Sequence, residues 1–328
     1  MSKRSIKVFN SLLFVSSLGL VACDGLVKKD SASTLEGAYQ ETIHAVVEAS
    51  SQSFENIFSD EKIMANMSTT EYAQAFLQNN RFLNDGSGYL FLNDVKGNVL
   101  VHGANENFNG LNLYDNQDVN GVYYVREIIK QAKADVDKFV EYVFYNPSTA
   151  KNEIKKTYAH TLSDPNMEET LILGSGYYLE SDSKISYENL IDLKMVSLVD
   201  VFSKGAAQVL SSKVMNSKSS QENYLENLVD DVDFYEDESG YLFILNTKGM
   251  VIGHGANDSL VQTSLFNAKD TSGTLYVQDM IALVSSKVGG GFVSYRYLNP
   301  ASEEIEDKVS YVRKIEGTDY FVGTGVYR

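Results

Sequence analysis

The chain has 328 residues, with 43% hydrophobic and 22% charged content, enough for two ordinary globular domains. Its formal charge is −16 (28 Lys+Arg against 44 Asp+Glu), so it repels polyphosphate and anionic lipid, and nucleic acid is excluded as a partner. One cysteine excludes an intramolecular disulfide, and three prolines exclude long Pro-rich linkers.

The N-terminus comes first. Lys3, Arg4 and Lys7 precede a short apolar run from Val8 to Ala22, too short and too broken by Ser for a comfortable transmembrane helix. The run ends in Leu20-Val21-Ala22-Cys23, which resembles the lipobox of bacterial lipoproteins. That resemblance implies a signal peptide over 1–22, lipidation of Cys23, and a short tether over 23–34 that holds the chain to a membrane. Asp24 after the cysteine implies the inner membrane in enterobacteria-like lipoproteins. Cleavage removes three basic residues and no acids, so the mature charge is 25 − 44 = −19.

The rest is one unit written twice. Ser87-Gly88-Tyr89-Leu90-Phe91, Lys96-Gly97 and His102-Gly103-Ala104-Asn105 recur 152 residues later as Ser239-Gly240-Tyr241-Leu242-Phe243, Lys248-Gly249 and His254-Gly255-Ala256-Asn257. Val140, Tyr142, Asn146, Pro147, Lys155 and Tyr158 recur 153 later as Val293, Tyr295, Asn299, Pro300, Lys308 and Tyr311. Repeats of about 150 residues are domains, not solenoid units. The expected boundaries are 35–182 and 183–328.

In chain order, Ser33-Thr34-Leu35-Glu36 suits a helix start, and Ile43, Val46, Val47, Phe54, Ile57 and Phe58 keep helical spacing. A short helix is expected around Thr70–Asn80. The period then changes to two: Tyr89–Leu92 and Asn98–Val101 flank Asp94-Val95-Lys96-Gly97, a hairpin turn. Tyr123–Lys133 reads as helix. Phe139–Tyr145 and Ile154–Thr161 pair around Asn146-Pro147-Ser148, and Leu171–Tyr178 is the last strand. The second copy repeats the plan, with short-helix residues around Gln221–Val229 and with Gly289-Gly290-Gly291 before the strand Phe292–Leu298. Copy one carries an insertion, Ser163–Glu169, before its last strand. The fold class is α+β, each unit a long N-terminal helix packed on a mostly antiparallel sheet of about five strands.

These residues carry a second resemblance. Gly88-Tyr89-Leu90-Phe91, the strand ending in His102, Phe139-Val140-Glu141-Tyr142 before Asn146-Pro147, Lys155 to Tyr158, and Gly174-Ser175-Gly176-Tyr177-Tyr178 resemble the Cache family, nearest its small single-Cache branch. Copy two is closer still, with Gly290-Gly291-Phe292-Val293-Ser294-Tyr295, Lys308-Val309-Ser310-Tyr311 and Gly323-Thr324-Gly325-Val326-Tyr327. The resemblance implies two tandem PAS-like domains outside the cytoplasm, each with a pocket for a small molecule, often a short carboxylate or amino acid. It implies a matched set of pocket residues: Tyr89, His102, Tyr142, Lys155 and Tyr158, against Tyr241, His254, Tyr295, Lys308 and Tyr311. A lysine ammonium and two phenols would hold one carboxylate. No transmembrane helix or output module follows the two units, so sensing requires a membrane signalling protein as partner.

Competing readings stay open. The tyrosines also suit core packing, the lysines a surface role, and the histidines a turn cap. The four histidines (44, 102, 160 and 254) show no metal-ligand spacing, and no cofactor or metal is implied. No nucleophile–base pattern stands out, so no enzyme is expected. The acids at 230–238 lack a calcium-loop pattern and read as a solvated face. The rival to a lipid-anchored sensor is a docking lipoprotein whose pockets are lost. The Ser163–Glu169 insertion, and Arg126 where copy two has Gln278, suggest that copy one is the weaker pocket.

Overall fold

Thr34 caps the first helix: its hydroxyl accepts the Gly37 N–H at 3.1 Å, and α1 (Leu35–Ser59) follows for 25 residues. The structure is a computed structural model that describes residues 34–167, 169–178, 187–212, 214–234 and 239–328, the side chains of 187–191 aside. The lipobox, Cys23 and Asp24 lie outside the described residues.

Asp60, which closes α1, caps the one-turn α2 (Glu61–Met64), and a Ser68–Glu71 capping box opens α3 (Thr69–Leu77). The two-residue strand β1 (Arg81–Phe82) leads to β2 (Gly88–Asp94) and β3 (Val99–His102). Their turn forms where expected. Asp94 accepts the N–H groups of Lys96 and Asn98, both at 2.8 Å, and Gly97 takes φ +84°, where a Cβ would lie 2.7 Å from Tyr114. A long connection then reaches α4 (Tyr124–Ala134), β4 (Val140–Asn146), β5 (Lys151–Asp164) and β6 (Glu169–Tyr178). Copy two runs α5 (Tyr187–Ser211), α6 (Lys218–Asn227), β7 (Leu242–Asn246), β8 (Val251–His254), α7 (Tyr276–Val284), β9 (Gly290–Leu298), β10 (Ile305–Lys314) and β11 (Tyr320–Tyr327).

Both sheets are antiparallel. The first runs β1-β2-β6-β5-β4 with β3 on β2; the second runs β8-β7-β11-β10-β9. This is the α+β, PAS-like architecture expected. The inserted segment starts and ends in the β5–β6 hairpin, whose ladder continues to Asp164↔Glu169; Thr69 donates to Asp164 at 2.5 Å and Ser163 N–H donates to Glu55 on α1.

Alternation gives each sheet two faces. Leu90, Leu92, Leu171 and Leu173 from the first sheet and Leu242, Ile244 and Val322 from the second meet α1, α3, α5 and α6 in one continuous core. The long helices pack on each other between the sheets. Polar contacts tie the seam: Asn80 donates to the Val201 carbonyl at 2.8 Å, Ser53 to that of Leu228 at 2.8 Å, and Asn223 to Asp60 at 2.9 Å. The opposite faces carry smaller clusters, one under α4 and one under α7. The candidate sites lie there.

Candidate ligand sites on the outer sheet faces

Tyr89 and Phe91 on β2 alternate out of the shared core and meet Tyr142 from β4 and Ala159 from β5. Lys155 on β5 points to the same face, since it is an even number of residues from Thr157 and Ala159. Its stem passes over Gly176 on β6, where a Cβ would lie 2.8 Å from the Lys155 Cε; at Gly325 the gap to the Lys308 Cε would be 2.6 Å. The Gly-x-Gly of the last strand thus makes room for the lysine.

Lys155 is 1% exposed and donates to the Tyr89 hydroxyl at 2.7 Å, with its Nζ 3.9 Å from the Tyr89 ring centre. Phe144 and Tyr178 rings stand 5.5 Å away. The His102 ring lies 4.8 Å from that of Tyr89. His102 Nδ1 accepts the Asn105 N–H at 3.1 Å, which leaves the ring proton on Nε2. The Tyr142 hydroxyl shares a hydrogen bond with Thr157 at 2.9 Å, and its ring stacks on Tyr124 at 4.9 Å.

Copy two reproduces the set. Lys308, also 1% exposed, donates to Tyr241 at 2.5 Å. His254 lies 4.8 Å from the Tyr241 ring, Tyr295 bonds Ser310 at 3.0 Å, and Tyr276 stacks on Tyr295 at 4.5 Å. Both clusters are closed. Clefts of about 390 and 240 Å³ lie elsewhere, along the seam near Met67, Gln74, Val214 and Met215.

Burial sets the protonation. It pushes the Lys155 ammonium well below its usual range, with the Arg81 charge adding, and does the same to Lys308 by itself. Among the described residues no carboxylate answers either ammonium. Burial, then the neighbouring lysine, takes His102 and His254 down to about 3, so both imidazoles are neutral. Burial raises Tyr89, Tyr142 and Tyr241 well above the ordinary phenol range, which keeps them as donors.

Eight of the ten expected residues therefore fall into two clusters: Tyr89, His102, Tyr142 and Lys155, and Tyr241, His254, Tyr295 and Lys308. Tyr158 and Tyr311 do not join them. Each is an odd number of residues from its lysine and turns to the shared core; Tyr158 donates to Glu48 of α1 at 2.6 Å. Tyr178 and Tyr327, two residues past the second glycine, were missed, although they share a face with it. Tyr178 donates to the Tyr145 carbonyl at 2.6 Å, and Tyr327 to that of Leu298 at 2.7 Å. Arg81 was also missed. Its guanidinium lies 5.1 Å from the Tyr89 ring and donates to the Gly86 carbonyl. Arg126 and Gln278 stand outside the clusters and do one job, donating to the carbonyls of Tyr114 and Phe266 at 3.1 and 3.0 Å.

A helix-backed antiparallel sheet with a lysine among aromatic rings on its free face, built twice, defines a class. Residues 26–193 and 178–328 each match the Cache domain, and the chain belongs to that family. It is similar to the sensor histidine kinase MctS of Rhizobium johnstonii, 24% identical over 142 residues (43% of this chain, 30% of that protein). It is also similar to the methyl-accepting chemotaxis protein McpP of Pseudomonas putida, 30% identical over 91 residues (28% and 16%). The chain thus spans less than a third of the length of these curated relatives. Similar solved structures include a methyl-accepting chemotaxis protein from Vibrio parahaemolyticus (26% identical, 44% of this chain and 92% of that one, TM-score 0.38). A Cache chemosensory domain solved for carboxylic acid recognition is 27% identical (44% and 99%, TM-score 0.38). No described helix is long and apolar enough to cross a membrane.

Proposed function

We propose that the chain is a lipid-anchored sensory protein outside the cytoplasm, held by Cys23 to the inner membrane, that binds short carboxylates and passes the result to a membrane signalling protein. It has no catalytic role in this reading. The carrying observation is a fully buried lysine with aromatic and hydroxyl neighbours and, among the described residues, no acid. An unpaired buried ammonium costs several kcal/mol, and a carboxylate is the group that removes the cost. Lys155 supplies the charge, Tyr89 and Tyr142 supply hydroxyls, and His102 supplies Nε2–H; Lys308, Tyr241, Tyr295 and His254 do so in copy two. A ligand reaches the lysine when the connection between β3 and α4, which carries Phe108 beside His102, moves aside.

The closed packing favours one rival, a docking lipoprotein with both sites filled by its own side chains. Calorimetric titration of the full chain with two- to four-carbon carboxylates separates them. Binding with proton uptake, read from buffers of different ionisation enthalpy, supports the sensor. No heat and no rise in melting temperature with any acid of the panel leaves the docking role.

A further inference from the structure

The connection that covers each lysine cluster is bonded along its first half and pinned at one point in its second. In copy one it runs from His102 to α4 and lays the Phe108 ring 5.0 Å from that of His102 and 6.0 Å from that of Phe144. Its first half pairs backbone to backbone with β3 and the turn before it. Gly110 N–H donates to the Val99 carbonyl at 2.7 Å, Val99 N–H to that of Leu111 at 2.9 Å, and Leu113 N–H to that of Gly97 at 2.9 Å. Copy two makes the same three bonds with Gln262, Val251 and Leu265 as donors.

The second half reaches the sheet through one carboxylate. Asp118 Oδ1 folds a turn by accepting the N–H groups of Asn120 and Val122 at 2.8 and 2.9 Å, and Gly121 completes it at φ +81°. Asp118 Oδ2 accepts the Val143 N–H at 2.8 Å. β4 is the edge strand of its sheet, so that outward N–H has no strand partner. Val143 stands between Tyr142 and Phe144, which both belong to the outer cluster. Among the described residues this is the one hydrogen bond between the connection and β4. The Arg126 bond to Tyr114 joins the connection to α4, its own continuation, and not to the sheet.

Copy two keeps the device with different neighbours. Asp270 Oδ1 accepts the N–H groups of Ser272 and Thr274 at 2.9 and 2.8 Å. Its Oδ2 accepts the Arg296 N–H at 3.0 Å, on the edge strand β9 between Tyr295 and Tyr297. Arg296 adds a long bond to Thr271 at 3.5 Å. Both carboxylates are only half-buried. Water therefore takes over the edge N–H when the bond breaks, and no buried polar group is stranded. A backbone-bonded side and a side held by one releasable acceptor are a hinge and a latch.

We propose that Asp118 and Asp270 are the latches of the two ligand sites. Release of the carboxylate from the edge strand lets the connection swing on its β3 side and admits the ligand. This rests on the carboxylate sites argued above. The latch closes the empty and the occupied site alike, so it sets the rates of entry and exit and leaves affinity to the lysine, phenols and histidine.

The test is Asp118→Asn in the full chain, measured with Lys308→Met so that the first site reports. The Asn oxygen still folds the turn, whereas its NH₂ group meets the Val143 N–H and cannot accept it. The probe is propionate, followed by tyrosine emission in stopped flow, since the chain has no Trp. Association and dissociation rates should both rise about tenfold while Kd moves less than about twofold. Amides of 140–146 should exchange with deuterium faster in the ligand-free protein. Asp270→Asn with Lys155→Met should do the same for the second site and residues 290–298. Parent-like rates, parent-like exchange, or a Kd that shifts as far as the rates overturns the latch; the last makes the carboxylate part of the binding surface. A parent that binds neither propionate, acetate nor butyrate overturns the ligand sites themselves.

Discussion

The two lysines occupy equivalent places and differ in what satisfies them. Lys308 donates to two phenols, Tyr241 at 2.5 Å and Tyr327 at 3.0 Å, and those hydroxyls stand 3.2 Å apart. Lys155 donates to one, Tyr89; its Nζ stands 5.5 Å from the Tyr178 ring centre, where Lys308 stands 4.5 Å from that of Tyr327. An ammonium has three donors, so Lys155 keeps two for a ligand and Lys308 keeps one. Arg81 adds a second positive charge beside Tyr89, where the repeat places Asp233 in the other half. The same scaffold thus holds a lysine with one hydroxyl partner in one copy and with two in the other. Domain one is the stronger candidate for anion binding, which reverses the sequence-based ranking. The insertion behind that ranking begins eight residues along β5 from Lys155, about 27 Å away, and reaches α1 and α3 instead.

The largest test of the contrast is Lys155→Met. Removing one partner of a buried charge pair should weaken carboxylate binding about a hundredfold or more, while Lys308→Met costs less. Equal losses in titration calorimetry would break the comparison. The same variant should melt higher than the parent without ligand, since an apolar side chain replaces a desolvated amine; a lower melting temperature means Lys155 is already paired.

Next comes pH. The ligand-free Lys155 has a depressed ammonium and a carboxylate needs it protonated, so binding takes up a proton. Affinity should fall up to about tenfold per pH unit once pH exceeds the free-state value. Stability runs the other way. The unfolded lysine, with an ordinary value of about 10.4, holds a proton that the native one sheds, so the two lysines make stability rise with pH through the alkaline range below that value. Lys155→Met should flatten the slope in denaturant titrations across pH 7 to 9.

Arg81→Gln sharpens the comparison by removing the second charge. It should lower domain-one affinity about tenfold and leave domain two unchanged. The smallest effect is expected from Tyr327→Phe, which frees one Lys308 donor and should strengthen the second site a few-fold; unchanged binding means the phenols do not compete with ligand.

Much of this was legible in the chain. The register of 152 residues carries through both long helices, α1 at 35–59 and α5 at 187–211. The Asp94–Gly97 turn and the helix starting after Thr34 were readable too, because caps and turns depend on near neighbours along the chain; the lysine–tyrosine–histidine set came from the repeat and the family resemblance. Parity alone separates Tyr158 from Lys155, so that error had a visible signal.

What tertiary structure decided was which sheet face receives the long helices. That choice sends Tyr158 and His160 inward to Glu48, leaves Lys155 and Tyr89 on the free face, and joins the two repeats through one core. It brought His44 and His160 each to Glu48 and Arg81 to Tyr89, and it let the β5–β6 ladder run into the inserted segment. None of these follows from periodicity, which says that a strand has two faces but not what will cover each. The covering is set by burial summed over segments far apart in the chain.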